Sequence, residues 1–324
     1  MAVPSSRYFF GFLPAYSTLI VSGAIIAIIL ATLEANRRGF KKDTILDLSL
    51  WLLPAGIIGA RIYYVIFTWS EYRENPLRVL YIWEGGLAIY GALIAGILVI
   101  FIFSRKRGLS FAELMDVLVP GVVLAQAIGR WGNYFNREAY GLPITNPSWQ
   151  FFPAGVLIPD VTGTWHMATF FYESVWDLLV FIFLMSFRHK RFNHNGDTLC
   201  WYAFLYAAGR LVIEDLRTDS LMSAKGSVRV SQLLSVLLCI VILIHFVFNR
   251  RKNATPILKV LYVLSVLFTV IVLIPVIPHL FNANSCDGQY TLMLLRFSLV
   301  AVFAAILVFF TRGKDVQPNA DNAA

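Results

Sequence analysis

The run at residues 15–33, whose sequence is AYSTLIVSGAIIAIILATL, decides the fold because it contains no charged side chain. A helix needs about 20 predominantly apolar residues to cross the hydrocarbon core of a bilayer, so this run predicts a transmembrane helix. Eight similar runs follow it. The nine predicted helices span approximately 15–33, 45–67, 87–103, 113–129, 169–187, 199–214, 230–248, 257–281 and 291–311. The predicted fold class is an all-α polytopic membrane protein.

The composition supports this prediction. Of 324 residues, 58% are hydrophobic and 14% are charged, and the mean hydropathy is +0.68. A soluble globular protein carries about 25% charged residues. A water-soluble multidomain enzyme is therefore excluded.

The net charge of +8 is concentrated in the loops that follow every second helix. The basic clusters are Arg37, Arg38, Lys41 and Lys42; Arg105, Lys106 and Arg107; Arg188, Lys190 and Arg191; Arg250, Arg251 and Lys252; and Arg312 and Lys314. Basic loops remain in the cytoplasm, which predicts an outside N-terminus and a cytoplasmic C-terminus. A nucleic-acid interface needs one continuous basic stripe, so we expect no nucleic-acid partner.

The predicted helices suggest three parts. Residues 1–252 form a membrane-embedded core, residues 253–312 an accessory transmembrane hairpin without an assigned function, and residues 313–324 a disordered cytoplasmic tail. The core has one long loop at about 130–168, whose prolines and aromatic residues favour a folded extracytoplasmic cap. The three cysteines form no CxxC pair, so the sequence predicts neither a disulfide framework nor a metal site.

The segment from Gly129 to Gly141, GRWGNYFNREAYG, is the most polar of the membrane-adjacent segments. An ionisable side chain at membrane depth costs at least a few kcal/mol and is a functional candidate. The guanidinium of Arg130 offers a planar fork for phosphate, and the amides of Asn133 and Asn136 can donate to phosphate or glycerol oxygens. The alternative is that these groups cap one another in an outer loop.

Two further segments lie near the outer ends of helices two and three. Arg61 is either a functional cation or an interfacial arginine that extends its charge to water. Gly85 and Gly86 precede helix three, where paired glycines let a ligand approach the backbone. The alternative for this pair is a tight turn with Glu84 as a cap.

Helices five and six carry the remaining ionisable groups. Glu173 and Asp177 share a helical face and need a cation, for which an arginine of another helix is the natural partner. His166, before helix five, is either an interfacial residue or a base. Tyr206, Arg210, Glu214 and Arg217 follow one helical stripe. Arg210 and Glu214 alone would fit a structural pair, whereas the third charge on the stripe favours a polar cavity.

The pattern Gly129-Arg130-x-Gly132-Asn133-x-x-Asn136-x-Glu138-x-x-Gly141 resembles the signature of bacterial prolipoprotein diacylglyceryl transferases. Other segments agree with that family in order and spacing, and the resemblance covers about residues 10 to 250. These segments are Gly59-Ala60-Arg61 with Tyr63-Tyr64, Trp83-Glu84-Gly85-Gly86, His166 before Tyr172-Glu173, and Tyr206 with Arg210 and Glu214. The family implies a seven-helix core, with helices eight and nine as additions.

The resemblance implies a cell-membrane enzyme with a site facing the outer leaflet. Such an enzyme transfers the diacylglyceryl group of phosphatidylglycerol to the thiol of a lipobox cysteine in a preprolipoprotein, and needs no cofactor. The implied catalytic residues are Arg130, Arg210, Tyr90 and His166, where some family members carry His at the position of Tyr90. The implied substrate-binding residues are Tyr16, Arg61, Gly85, Gly86, Gly129, Gly132, Asn133, Asn136, Glu138, Gly141, Tyr206 and Glu214. Among them, Glu138 and Glu214 would hold the arginines.

Two other functions compete with this interpretation. A CDP-alcohol phosphotransferase would need several spaced aspartates that hold a divalent metal, and no such series flanks Arg61. A lipid or anion transporter would use the same arginines as a binding site, with polar residues on both sides of a midplane gate. Because the polar residues cluster on the outer half of the predicted helices, the sequence favours a one-sided enzyme over this alternative.

Overall fold

The computed structural model describes residue 3, residues 6–158, 163–189, 194–218 and 230–249, and residues 288, 292–293 and 295–300. Within these residues the chain is mostly helical. The predicted helix at 257–281 and the predicted tail at 313–324 lie outside the described residues. Part of the predicted helix at 291–311 is described, and residues 295–300 are helical.

Seven long helices occupy the described part of the core. They are α1 (Ala15–Arg37), α2 (Thr44–Phe67), α3 (Ile89–Arg107), α4 (Phe111–Asn136), α5 (Thr169–Phe187), α6 (Asp197–Glu214) and α7 (Val230–Asn249). The first five are long and apolar enough to cross a membrane. The prediction of a polytopic helical membrane protein is therefore confirmed, while the arrangement of seven core helices plus two additions stays a prediction.

The apolar runs predict where these helices lie, but two of the helices continue through polar residues beyond their predicted ends. The last turn of α3 contains Arg105, Lys106 and Arg107, and the left-handed Gly108 then closes the helix. Helix α4 continues to Asn136, seven residues beyond the predicted end at 129. The first half of the polar signature segment is consequently helical rather than part of a loop.

The chain divides into two compact units, which are described separately. The first contains residues 1–23, 123–193 and 200–324, and the second contains residues 24–122 and 194–199. A cluster of apolar side chains from four helices forms the core of the second unit, and it includes Ala31, Leu48, Phe103 and Leu114. The second unit also contains the irregular segment after α2. This segment folds as a one-turn helix (Trp69–Tyr72) and two 3₁₀ turns (Pro76–Leu80 and Ile82–Glu84).

The first unit contains two short hairpins. Near the N-terminus, β1 (Tyr8–Phe9) pairs with β2 (Leu13–Pro14). In the long loop after α4, strands β3 (Gly155–Ile158) and β4 (Thr164–Met167) pair antiparallel, with Gly155 opposite Met167. A 3₁₀ turn at Pro147–Trp149 precedes the second hairpin.

Two apolar clusters hold the loop against the helices of the first unit. One contains Ile144, Met167, Val212, Leu216 and Met293. The other contains Tyr134, Val156, Ile158 and Phe170. Burial of these side chains fixes the hairpin against the first turn of α5 and the last turns of α6, because each fully buried aliphatic or aromatic side chain contributes about 1.5–3 kcal/mol.

Candidate functional site

A single buried carboxylate organises the polar cluster of the first unit. Glu173 lies on the second turn of α5 and is 5% exposed. Its Oε2 atom is 2.6 Å from Nε of Arg130 on α4, and its Oε1 atom is 2.6 Å from Nη1 of Arg210 on α6. The prediction that Glu173 pairs with an arginine of another helix is confirmed, and the structure supplies two such arginines.

Arg210 also pairs along its own helix. Its Nη2 atom is 2.7 Å from Oε2 of Glu214, one turn further along α6, so two carboxylates hold this guanidinium. A third arginine, Arg217, follows α6 and places Nη1 3.5 Å from Glu173 Oε1. Arg130 differs because its contact with Glu173 is made by Nε, whereas Arg210 contacts its carboxylates through its terminal nitrogens.

Arg130 and Arg210 line a small cavity. Its lining residues are Arg130, Glu173, Trp176, Asp177, Tyr206, Gly209, Arg210 and Ile213. Asp177 is 3% exposed, and its Oδ2 atom has no hydrogen-bond partner among the described residues. Tyr206 stacks on Tyr202 with ring centroids 5.6 Å apart. A pocket with two guanidinium groups and a phenol suits an anion that carries an apolar chain.

The α4 helix reaches this cavity because α5 holds it by a hydrogen-bonded pair of side chains. Trp131 donates from its indole nitrogen to Ser174 Oγ at 3.1 Å, and Ser174 donates to the carbonyl of Ala127 at 2.8 Å. Trp131 and Ser174 are adjacent in sequence to the two residues of the ion pair that they support. The pairing of Arg130 with Glu173 is thus fixed by packing as well as by charge.

The remaining polar residues of the signature segment contact one another. Glu138 accepts hydrogen bonds from Asn133 Nδ2 at 3.0 Å and from Asn136 Nδ2 at 3.3 Å. The chain turns back here because Arg137 and Ala139 have left-handed backbone conformations, with φ of 60° and 55°. These three polar side chains therefore bond to one another at the carboxyl end of α4, and their substrate-binding role stays a prediction. The carboxylates that contact Arg210 are Glu173 and the expected Glu214.

Tyr16 of α1 packs on the same part of α4. A Cβ atom at Gly132 would lie 2.7 Å from Cδ2 of Tyr16, so only glycine leaves room for this ring. A Cβ atom at Gly129 would lie 3.4 Å from Cδ1 of Ile20 in the same helix pair, which is an ordinary contact distance. Tyr16 is 36% exposed, which leaves part of its ring accessible to a lipid.

Gly141 lies where three segments meet. Its nitrogen donates to the carbonyl of Met167 at 2.9 Å. A Cβ atom at this position would be 2.8 Å from both Leu216 O and Met167 Cβ. Gly141 therefore permits the close approach of the hairpin to the turn that follows α6.

His166 supports this approach from β4. It is 6% exposed, and its Nδ1 atom lies 2.8 Å from the carbonyl oxygen of Gly141, which can only accept a hydrogen bond. Its Nε2 atom lies 3.0 Å from Thr164 Oγ1. Both ring nitrogens thus contact protein groups, and the contact through Nδ1 stabilises the position of Gly141. A catalytic role for His166 stays a prediction.

The other predicted site residues, Arg61, Gly85, Gly86 and Tyr90, lie in the second unit. Arg61 is 5% exposed, and its guanidinium donates to five backbone carbonyl groups. The acceptors are Val79 at 2.9 Å, Gly85 at 2.7 Å, Gly86 at 3.1 Å, Arg78 at 2.6 Å and Tyr81 at 3.3 Å. Arg61 therefore orders the segment between α2 and α3 in this structure.

The glycine pair has the conformation that this contact requires. Gly85 and Gly86 have φ of 90° and 67°, in a region that favours glycine. Tyr90, on the first turn of α3, lies beside Tyr63 with ring centroids 6.3 Å apart. In the structure the guanidinium of Arg61 contacts the carbonyl groups of both glycines, and the binding of a ligand by the pair stays a prediction.

An exposed ion pair lies next to this segment. Arg78 Nη2 is 3.0 Å from Glu84 Oε2, and the hydrogen bond that Arg78 donates to this carboxylate raises the pKa of Arg78 above its ordinary value. Exposed pairs of this kind contribute little to stability. Glu84 is therefore positioned by Arg78 rather than by a helix cap, since α3 begins without a side-chain cap.

The site predicted from the sequence lacks four residues that lie on α5 and in the turn after α6. Glu173, Asp177, Trp176 and Arg217 were not among the predicted site residues, although all four belong to the cavity or its ion pairs. The signal was present in the two carboxylates four residues apart in a membrane helix. Among the described residues, no group of three His, Cys, Asp or Glu side chains is placed to hold a metal ion.

Comparison with known proteins identifies a family with this organisation. A model of the Prolipoprotein diacylglyceryl transferase family matches residues 11–248. Proteins named phosphatidylglycerol–prolipoprotein diacylglyceryl transferase are similar to the chain. The one from Streptococcus agalactiae is 44% identical over 246 residues, covering 74% of this chain and 92% of its own length. The one from Lactococcus lactis is 47% identical over 240 residues, covering 74% and 90%. The one from Halalkalibacterium halodurans is 42% identical over 245 residues, covering 74% and 83%.

Proposed function

The chain belongs to the prolipoprotein diacylglyceryl transferase family, and on that premise we propose that Arg130 and Arg210 form the phosphate site of the reaction. The enzyme transfers the diacylglyceryl group of phosphatidylglycerol to a prolipoprotein, the first step of lipoprotein maturation. It is a multi-pass membrane protein. The acceptor in our proposal is the thiol of a lipobox cysteine.

The proposed reaction is a displacement at a glycerol carbon. The sulfur of the acceptor forms a bond to this carbon as the bond from the carbon to the phosphate oxygen breaks, and the electron pair leaves with glycerol phosphate. The thiol proton passes to a base or to the phosphate. Because negative charge grows on the departing phosphate, guanidinium groups already in place stabilise the transition state most strongly where water is excluded.

The observation that carries the proposal is the pair of arginines on one buried carboxylate. Arg130 and Arg210 come from different helices, contact Glu173 at 2.6 Å each, and line the same cavity. Glu173 keeps the two positive groups together before the substrate binds, when they would otherwise repel each other. The arriving phosphate then finds donors that need little reorganisation.

The two arginines differ in how many nitrogens remain for a phosphate. Arg210 contacts a carboxylate with each of its terminal nitrogens. Arg130 contacts Glu173 through Nε, so the two terminal nitrogens of Arg130 offer a fork for two phosphate oxygens. We therefore assign the principal phosphate contact to Arg130 and a supporting contact to Arg210.

The other predicted residues fit supporting roles in the proposal. Asn133 and Asn136 orient the headgroup when it displaces their contacts with Glu138, and Tyr16 contacts the lipid through its exposed ring edge. Tyr90 donates a hydrogen bond rather than accepting the thiol proton, since a phenol group carries an O–H donor. The site faces the outer leaflet, with the N-terminus outside and the C-terminus in the cytoplasm.

The test is a transfer assay with purified protein in detergent. The assay contains phosphatidylglycerol and a lipobox peptide with either Cys or Ser at the acceptor position, with and without EDTA. Peptide mass and released glycerol phosphate are measured. We expect addition of the diacylglyceryl group to the Cys peptide alone, in equal amounts with EDTA.

Two results would contradict the proposal. Loss of transfer in EDTA would indicate a metal-dependent reaction. Bound phosphatidylglycerol without any product, in protein that melts cooperatively, would favour the lipid transporter, which the relatives named above do not support.

A further inference from the structure

The C-terminal segment beyond the family match contributes a buried arginine to the end of α6. Arg296 is 4% exposed, and its Nη1 atom lies 2.5 Å from Oδ2 of Asp215. Gln232 of α7 donates to the other oxygen of Asp215, also at 2.5 Å. Asp215 directly follows Glu214, the carboxylate that holds Arg210. A charge buried to this extent in an apolar segment is costly unless it is paired.

The same segment also contacts the wall of the cavity. The ring centroids of Phe297 and Trp176 are 4.7 Å apart, and Trp176 lines the cavity. Met293 joins the apolar cluster that contains Val212 and Leu216 of the α6 end. Buried residues 292, 293, 296 and 300 recur at helical spacing, so one face of the segment packs against the first unit.

The turn that Arg296 holds is connected to the phosphate site at two points. Leu216 accepts a hydrogen bond from Leu142 N at 2.9 Å, and Arg217 forms a β-bridge with Gly141. The Nη1 atom of Arg217 lies 3.5 Å from Glu173. A displacement of this turn would therefore move both Gly141 and a cation that faces the central carboxylate.

We propose that Arg296 is a positioning residue for diacylglyceryl transfer, and that the C-terminal segment is a working part of the site. Arg296 holds Asp215 and thereby the turn 214–217, while Phe297 supports Trp176. The proposal rests on the proposed function, since it assigns the transfer step to the arginine cluster. It also replaces the prediction of an accessory hairpin without function.

The test compares three variants of the full-length protein with one control. Arg296→Met removes the charge but keeps a long side chain, and Arg296→Lys keeps the charge. Asp215→Asn removes the partner's charge at constant size. Ser298→Ala is the matched control, because Ser298 is exposed on the same helical segment. For each protein we measure kcat, KM for phosphatidylglycerol, the unfolding midpoint in detergent, and the rise in that midpoint when phosphatidylglycerol is added.

We expect Arg296→Met and Asp215→Asn to lower kcat at least tenfold, because a displacement of about 1 Å at a catalytic site costs about a hundredfold. The KM should change less than the kcat. Arg296→Lys should restore most of the turnover, since the contact with Asp215 uses one nitrogen, and Ser298→Ala should match the unaltered protein.

Turnover of Arg296→Met or Asp215→Asn equal to that of the control would overturn the proposal. So would a lower unfolding midpoint with unchanged kcat, which would show a merely structural pair. If Arg296→Met does not accumulate, Asp215→Asn and Arg296→Lys decide the outcome in the same way. If the unaltered protein binds phosphatidylglycerol but transfers nothing, the proposed function fails. The positioning role then fails with it, because that role concerns the transfer step. Transfer by the unaltered protein with equal turnover in Arg296→Met refutes the positioning role alone. The rise in midpoint with phosphatidylglycerol should persist in Arg296→Met, since ligand binding stabilises the folded state and the KM changes little.

Discussion

Replacing Arg130 with Lys tests the phosphate site most directly. In the proposed site Arg130 performs two tasks, because its Nε atom pairs with Glu173 and its terminal nitrogens bind the phosphate. A lysine side chain ends in one compact ammonium group without the planar fork. It can pair with Glu173 or with the phosphate, but it lacks the geometry to hold both. The Arg130→Lys protein therefore keeps the charge of the site and loses its bidentate contact.

The size of the effect follows from the two phosphate hydrogen bonds that a lysine cannot make. Charge-assisted hydrogen bonds of this kind contribute about 1.5–3 kcal/mol each. Without them the transition-state barrier rises by about 3–6 kcal/mol, and each 1.36 kcal/mol corresponds to a factor of ten in rate. We expect kcat to fall by about 10²–10⁴, with a smaller change in KM, because charge grows on the phosphate only during the displacement.

The assay is the detergent transfer reaction, with initial rates over a range of phosphatidylglycerol concentrations. Arg37→Lys is the matched control, because Arg37 is exposed at the end of α1 and lies outside the site. Unfolding midpoints establish that each variant is folded. A kcat of Arg130→Lys within threefold of the unaltered protein would refute the reasoning. An equal loss of kcat in Arg37→Lys would show that the effect is not specific to Arg130.

Three further variants test the supporting contacts. Glu173→Gln should lower the unfolding free energy in detergent by about 3–5 kcal/mol, because it removes the charge that two buried guanidinium groups share; an unchanged denaturation profile would contradict this. Gly141→Ala should cost about 1–3 kcal/mol through overpacking against Leu216 O, and its thermal midpoint should fall; Gly56→Ala is the comparison, because an added Cβ there meets no atom within 4 Å. Tyr90→Phe should reduce kcat about tenfold, the value of one hydrogen bond, with an unaltered pH profile; a shifted profile would instead make Tyr90 the base.

The sequence predicts the helices of the core well, because uninterrupted apolar runs leave few alternatives in a membrane. It also predicts that Glu173 needs a cation. It does not predict that Arg130 and Arg210 both meet this carboxylate, since that depends on how α4, α5 and α6 pack. Local spacing identifies the pair of Arg210 with Glu214, four residues apart on one helix, but contacts between helices are set by the whole fold.

Two positions show where sequence patterns do not suffice. Glu138 was expected to hold an arginine, and it accepts hydrogen bonds from Asn133 and Asn136 because Arg137 and Ala139 adopt left-handed conformations. Such conformations are uncommon outside glycine and carry no sequence signature. Arg61 is predicted to bind substrate, and this stays a prediction. Sequence patterns do not indicate that its donors meet the carbonyl groups of an irregular segment, because no periodicity describes the path of that segment.

The distribution of carboxylates explains how two arginines can be buried together in a membrane protein. Guanidinium groups without counter-charges would be too costly at this depth, so Glu173 and Glu214 balance them before substrate arrives. A site balanced in this way binds phosphate only if at least one guanidinium keeps donors for it, and Arg130 meets this condition through its Nε contact. Arg210, held at both terminal nitrogens, maintains the arrangement. In the proposed mechanism Arg130 stabilises the phosphate charge while Glu173 stays paired with Arg210. Under that proposal no step leaves a buried carboxylate without a cation.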